Sequence, residues 1–412
     1  MYKRYFLVLV LALCLMPLSF AQKMEKTGGY ARILGMGNNP YIVDPFFVTV
    51  NPAWGAYYDH FLFGDLGSTA GAFAAGGVGQ FASVNFRLNN DLTIGGIFTR
   101  NDFNGFGISR LDPFGIVNNI PSTIGLNNNL ELMGTLKFGN TVVGLGVAYA
   151  ATTNESSPGG TAGTTTASAS QIGFNLGLIS QFTKEMKLDV GAALILPSAK
   201  FEPPSPGITQ EGSNTIINVA ARLFYDLSSK LTVVPTANFI LASGSRDVVT
   251  GAPAKAESVD LTSTTVIFVG FGINYKVGDF LFAGGPAFAL VKNSSDSTLL
   301  NNKFSNSTMI FPLWNLGTEW KMTDWFVARF GYIASTGKNT SETTNNGITS
   351  ETINTIFTPA PGATVGVGFR LGDFSLDATV NEDVLRQGLN NLGGNGPNAA
   401  TFAYLSASYA IP

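Results

Sequence analysis

Cysteine is nearly absent from this chain of 412 residues; the single one is Cys14. It falls in Met1 to Ala21, which reads as a secretory signal. Lys3 and Arg4 form its positive start, Phe6 to Met16 its apolar stretch, and Ser19-Phe20-Ala21 a small-x-small cleavage site ahead of Gln22. The exported chain is therefore expected to hold neither a thiol nor a disulfide, and its stability has to come from size or from a closed sheet. Histidine is equally scarce: His60 stands alone in Tyr57-Tyr58-Asp59-His60-Phe61 and reads as interfacial rather than as a metal ligand. Charged residues make up 12%, about half the usual share. A formal net charge of −3 gives no reason to expect a nucleic-acid partner. After the signal, no stretch is apolar for the roughly 20 residues of a spanning helix, so a membrane location must use strands. No Ser-His-Asp set, phosphate loop, zinc spacing or dinucleotide fingerprint is present, so neither an enzyme nor a cofactor is expected. Glu382 and Asp383 could imitate a catalytic pair, but they adjoin a polar connector and read as solvated.

What the chain has in abundance is alternation. Ile172, Phe174, Leu176 and Leu178 fall on one face, and Gln171, Gly173, Asn175 and Gln181 on the other. Phe374, Leu376, Ala378 and Val380 stand likewise against Ser375, Asp377, Thr379 and Asn381. A period of two means strands with one apolar and one polar face. In a soluble sandwich the apolar face is core; in a transmembrane barrel it meets lipid and the polar face lines a lumen.

The connectors separate these readings. Short ones rich in Gly, Asn, Asp and Ser, such as Leu88 to Asp91, Phe138 to Asn140 and Leu371 to Asp373, alternate with long polar ones. The long ones are Asn101 to Asn129, Thr152 to Ser170, Ser198 to Ser213, Ser243 to Ser258, Lys292 to Asn302, Ser335 to Asn354 and Asp383 to Asn398. Short, long, short, long is the order of an outer-membrane barrel with short periplasmic turns and longer extracellular loops. Tyr225, Tyr275, Phe280, Trp320 and Trp325 sit beside short turns, where an interfacial girdle belongs. The expected fold is all-β: a transmembrane antiparallel up-and-down β-barrel of about 14 strands, with 16 possible.

Lys23 to Tyr58 differs from the rest. Pro40, Pro45 and Pro52 exclude it from a central strand, so it reads as a segment packed in or under the barrel. The expected division is a signal over 1–21, an N-terminal plug over 22–56 and a barrel over 57–412. The first long connector is oddly apolar for an exposed segment. Phe103, Phe106, Ile108, Leu111 and Phe114, with Ile116 and Ile120, either contact a hydrophobic ligand or pack on the barrel rim.

Tyr30-Ala31-Arg32-Ile33-Leu34-Gly35-Met36-Gly37-Asn38, followed by Asn51-Pro52-Ala53, resembles the N-terminus of the FadL-like outer-membrane proteins. That superfamily includes long-chain fatty-acid transporters and PorV-like secretion proteins. Here Trp54 stands where the family usually has Gly, and of the usual acidic run only Asp44 remains. The resemblance implies a barrel of 14 strands, passage of hydrophobic molecules, and a plug in which Gly35, Gly37, Asn38, Asp44, Asn51 and Pro52 take part. The function expected is an outer-membrane barrel that binds and passes small hydrophobic molecules. Two alternatives stand beside it: a structural or secretion-accessory barrel whose long loops bind protein partners, and a weakly selective porin. The expected surroundings are outer-membrane lipid.

Overall fold

A computed structural model describes residues 26–67, 80–103, 105, 107–115, 120, 124–157, 163–204, 207–250, 255–297, 302–357, 362–380 and 402–412. Phe106, Ile116, Glu382, Asp383 and the connector from Asp383 to Asn398 lie outside these residues.

Eighteen strand segments form one sheet. They are β1 (Phe61–Gly67), β2 (Phe81–Arg87), β3 (Leu92–Arg100), β4 (Asn128–Phe138), β5 (Thr141–Ser156) and β6 (Thr165–Gln181). Next come β7 (Met186–Glu202), β8 (Gln210–Ser228), β9 (Leu231–Thr250), β10 (Lys255–Asp260), β11 (Ser263–Val277) and β12 (Phe280–Ser297). The last are β13 (Asn302–Lys321), β14 (Phe326–Asn345), β15 (Ile348–Phe357), β16 (Gly362–Leu371), β17 (Phe374–Val380) and β18 (Phe402–Ala410). Two pairs of segments are single wall strands broken in the middle. The upper part of β9 pairs with β10 and its lower part with β11; β14 pairs with β15 above and β16 below. β1 pairs antiparallel with β18, so the wall closes as an antiparallel barrel of 16 strands. The count of 14 implied by the FadL-like resemblance is thus exceeded by two. Closure leaves no edge exposed along the wall.

Alternation decides which side chains face out. Ile172, Phe174 and Leu176 are exposed while Gln171, Gly173 and Asn175 are buried, and Leu145, Val147 and Tyr149 stand out against buried Gly144, Gly146 and Ala148. Leu132 is 62% exposed and Leu145 61%, values typical of charged residues in a soluble protein. The outside of the wall is therefore an apolar band, flanked near the short turns by exposed Tyr225, Tyr275, Phe280, Trp320 and Trp325. No helix among the described residues is long and apolar enough to cross a membrane.

The short connectors are turns at one rim. At the other rim the structure departs from the sequence reading. β5 runs on to Ser156 and β6 starts at Thr165; β14 continues to Asn345 and turns through Asn346 and Gly347 into β15. Asn346 and Gly347 have φ of 49° and 80°, the left-handed pair that a tight hairpin requires. In five of the seven long connectors, all but the first and the last, most of the described residues are thus strand. Thr and Ser favour strands. With water on both sides, no apolar face marks them, so the period of two disappears from the sequence. β9, β13 and β14 reach 20 residues, about twice the 9–11 that cross a bilayer.

Candidate functional site

Residues 26–60 lie inside the barrel and follow its inner wall through one full circuit. Pro45 and Pro52 open two short 3-10 turns, Pro45–Thr49 and Pro52–Ala56. Each is capped by the preceding side chain: Asp44 accepts from the Phe46 N–H at 3.0 Å and Asn51 from the Ala53 N–H at 2.9 Å. Before them, α1 (Tyr30–Gly35) ends in Gly37 and Asn38, both with positive φ.

The circuit can be read from its contacts. The Ala31 N–H donates to Ser406 Oγ on β18, and the Gly37 N–H to Thr364 Oγ1 on β16. Asn315 on β13 donates to the Gly37 carbonyl at 2.9 Å, and Asn39 to Ala283 O on β12 at 2.8 Å. Asn274 on β11 reaches the Tyr41 carbonyl, and Arg222 on β8 the Ile42 carbonyl, both at 2.9 Å. Asn51 and the Trp54 indole donate to Asp189 on β7 at 2.6 and 3.1 Å. Lys26 and Asp59, the two ends, form an ion pair of 2.6 Å. Wall glycines make room: a Cβ at Gly144 would strike the Pro52–Ala53 backbone, and one at Gly317 would sit 2.5 Å from the Met36 carbonyl oxygen. Met36, Tyr41, Phe46, Val48, Trp54 and Tyr58 are fully enclosed.

Charge fixes this belt at two places. On one side Arg32 makes a bidentate pair with Glu319 at 2.7 and 3.1 Å and meets Asp44 at 3.2 Å. Glu319 also takes Arg329 at 2.6 Å; Arg329 reaches Asp377 at 2.7 Å, and Asp377 takes Arg370 at 2.9 Å. Three arginines therefore face three carboxylates with no net charge. Opposite, Arg222 pairs with Asp189 at 2.6 Å and lies 3.7 Å from the centre of the Phe47 ring. Burial pushes the Asp44 carboxyl up to about 6 although Arg32 and the Phe46 N–H hold it down. Burial also raises the Tyr41 hydroxyl to about 12.

The first long connector folds inward above the belt. Phe103 packs with Phe46 of the belt and Phe81 of β2, and Ile108, Leu111 and Ile120 are buried. Their seat is the inner face of β5 to β9, which is apolar here: Ala148, Ala193, Ile195, Ile216 and Ala242 surround Ile108, with Phe114 half-buried beside them. Leu111 joins Ala150, Ala169 and Ala199. Hydrogen bonds complete the fit. Asn129 donates to the Ile108 carbonyl and Gln171 to the Arg110 carbonyl, both at 2.9 Å, and Ser109 Oγ donates to Glu131.

Of the residues singled out in the sequence, Gly35, Gly37, Asn38, Asp44, Asn51 and Pro52 lie on the belt. Phe103, Ile108, Leu111 and Phe114 are divided among three apolar clusters rather than gathered around one space. Arg32, Asp189, Glu319, Asp377 and Glu131 were not singled out. For the four acids the signal is a charge at a polar-face position inside a strand of a charge-poor chain; Arg32 lies on α1 and has no such signal.

Wall pairing is interrupted between β7 and β8. β7 and β8 pair up to Ile195↔Ile216 and again from Ser198↔Ser213, but not at the two positions between. Pro197 lies there on β7 and has no N–H to give. A cavity of about 450 Å³ occupies the gap. Its lining includes residues from both faces of the wall, the inward Gln171 and Asn214 and the outward Tyr149, Ile172 and Thr215.

No protein-family model matches the sequence, and no curated protein matches it. Among solved structures, it is similar to the FrpB iron transporter of Neisseria meningitidis (F3-3 variant), at 12% identity and a TM-score of 0.38 over 77% of this chain and 61% of that one. It is also similar to the Pseudomonas putida toluene transporter TodX, at 11% identity and 0.36 over 94% and 97%. The unliganded ferric citrate transporter FecA gives 10% and 0.36 over 77% and 64%. The chain thus spans about three fifths of the FrpB structure. Scores this low assign neither family nor substrate.

Proposed function

We propose that this chain sits in the outer membrane and passes small hydrophobic molecules sideways through its wall. The cavity at Pro197 carries this reading. It has the volume of a small-molecule site. Its outward lining, Tyr149, Ile172 and Leu196, belongs to the apolar band, and Ile195 and Ile216 of the apolar inner wall are the chain neighbours of its lining residues Leu196 and Thr215. An apolar molecule crossing there would leave the apolar band without travelling the length of the lumen, where 26–60 narrows the axial route. That narrowing also speaks against the open porin. Leu196→Cys with Thr215→Cys places two thiols directly opposite across the gap. Oxidation should stop uptake of N-phenylnaphthylamine by intact cells, and reduction should restore it. Equal uptake in both states would overturn the reading.

A second reading draws on the tall strands. About half the length of β13 and β14 stands above the apolar band with Ser, Thr and Asn on both faces, a surface suited to a protein partner. Trimming 339–354 to a two-residue turn separates the two, because it should abolish partner binding and leave uptake intact.

A further inference from the structure

Beneath the first long connector lies a set of buried polar groups that its hydrogen bonds leave incomplete. Glu131 on β4 is fully buried, and of its two carboxyl oxygens only Oε2 is engaged, by Ser109 Oγ. Oε1 has no partner. Asn175 on β6 is 2% exposed, and neither its amide nitrogen nor its oxygen is paired. Both flank Gly146: a Cβ built there would lie 2.8 Å from Glu131 Oε1 and 3.3 Å from Asn175 Cβ. That Cβ would also lie 3.6 Å from Ile108 Cδ1, so the apolar seat of Ile108 adjoins this spot directly. Buried polar atoms without partners are costly and mark a place where something else completes the set.

The connector imitates what belongs there. Ile108 fills an apolar seat, and the next residue presents a hydroxyl that donates to Glu131. No ion pair reaches Glu131 among the described residues, and Arg110, next to Ser109 in the connector, interacts with Tyr30 of the belt instead. A ligand carboxylate would enter this seat without a counter-charge and beside an acidic side chain, which is costly. A ligand with a donating head would find Glu131 and Asn175 waiting.

We propose that Glu131, Asn175 and the apolar seat of Ile108 form a lumen binding site for small hydrophobic molecules bearing a hydrogen-bond donor, alcohols or protonated amines, and that Ile108-Ser109 occupies it in their absence. The inference rests on the hydrophobic-passage reading and narrows its substrate class. The site discriminates against carboxylates, and the connector leaves it when the ligand arrives.

The test uses the full chain in detergent and three probes that share one six-carbon tail: 1-hexanol, hexylammonium and hexanoate, followed by calorimetry. Hexanol and hexylammonium should bind at least ten times more tightly than hexanoate. Glu131→Gln, close in shape, should weaken hexylammonium at least tenfold while changing hexanol less than threefold. Ser109→Ala, which removes the internal competitor, should tighten hexanol several-fold. Equal binding of all three probes, or no effect of Glu131→Gln on hexylammonium, overturns the donor rule and leaves hydrophobic passage standing. Binding of none of them overturns both.

Discussion

Two segments fill the same lumen and are held there by different physics. The belt, 26–60, is held by buried charges: Arg32, Arg329 and Arg370 against Asp44, Glu319 and Asp377, and Arg222 against Asp189. The first long connector is held by aliphatic contacts and by single hydrogen bonds such as those of Asn129, Gln171 and Ser109. Withdrawing the belt means separating ion pairs in a low-dielectric interior, and removing one partner of such a pair costs about 3–5 kcal/mol. Lifting the connector means exposing a few aliphatic side chains and exchanging hydrogen bonds worth about 1 kcal/mol each. The belt is therefore part of the wall, and the connector is the part that can move.

The largest effect should come from breaking the charge lock. Glu319→Ala leaves Arg32 and Arg329 facing each other without their shared carboxylate and should cost about 3–5 kcal/mol. Hydrogen exchange should then rise along 26–60 and stay unchanged at 107–115. Outside both segments, Leu145→Arg puts a charge on the apolar band and should cost about 2–4 kcal/mol, measured by urea titration in lipid vesicles. Ile108→Ala should loosen the connector by about 2 kcal/mol, with the opposite exchange pattern: faster at 107–115 and unchanged along the belt.

The smallest effect is one of pH. Asp44 titrates near 6 inside the belt against an ordinary 3.8, because burial disfavours its charge. The folded state therefore holds a proton that the unfolded chain has lost, so this group's contribution is full below about 4 and is lost as pH rises through about 6. Asp44→Asn keeps an oxygen to cap Phe46 and removes the proton. The variant should lack a fall in belt stability of about 1 kcal/mol per pH unit across that window. Wild-type and variant profiles that run parallel would place the titration elsewhere.

Barrel, connector order and an unpaired proline-containing N-terminal stretch were legible in the sequence, because alternation and proline act locally. The outer halves of the strands were not. Ser335 to Asn354 carries no apolar face, and only the Asn346-Gly347 pair hints at a hairpin within it. Nor could the belt's circuit be read. Arg32 and Glu319 are 287 residues apart, and nothing short of the closed fold brings them together. Charges on the polar face of strands, such as Asp189 and Arg222, look in sequence like sparse lumen residues of a porin, whereas here they bind the belt. Glu131 was open to notice as a lone acid among Leu130, Leu132 and Met133, but its buried state depends on a connector that folds inward.

The central claim is that the connector moves while the belt stays fixed, and tethering each in turn tests it. Ala31→Cys with Ser406→Cys joins belt to wall, where the Ala31 N–H already meets Ser406 Oγ at 2.9 Å. Ile108→Cys with Gly173→Cys joins connector to wall, where Ile108 packs on the Gly173 backbone. Uptake of N-phenylnaphthylamine should be unchanged when the first pair is oxidised and should stop when the second is. Uptake that stops with a tethered belt and persists with a tethered connector would contradict the account.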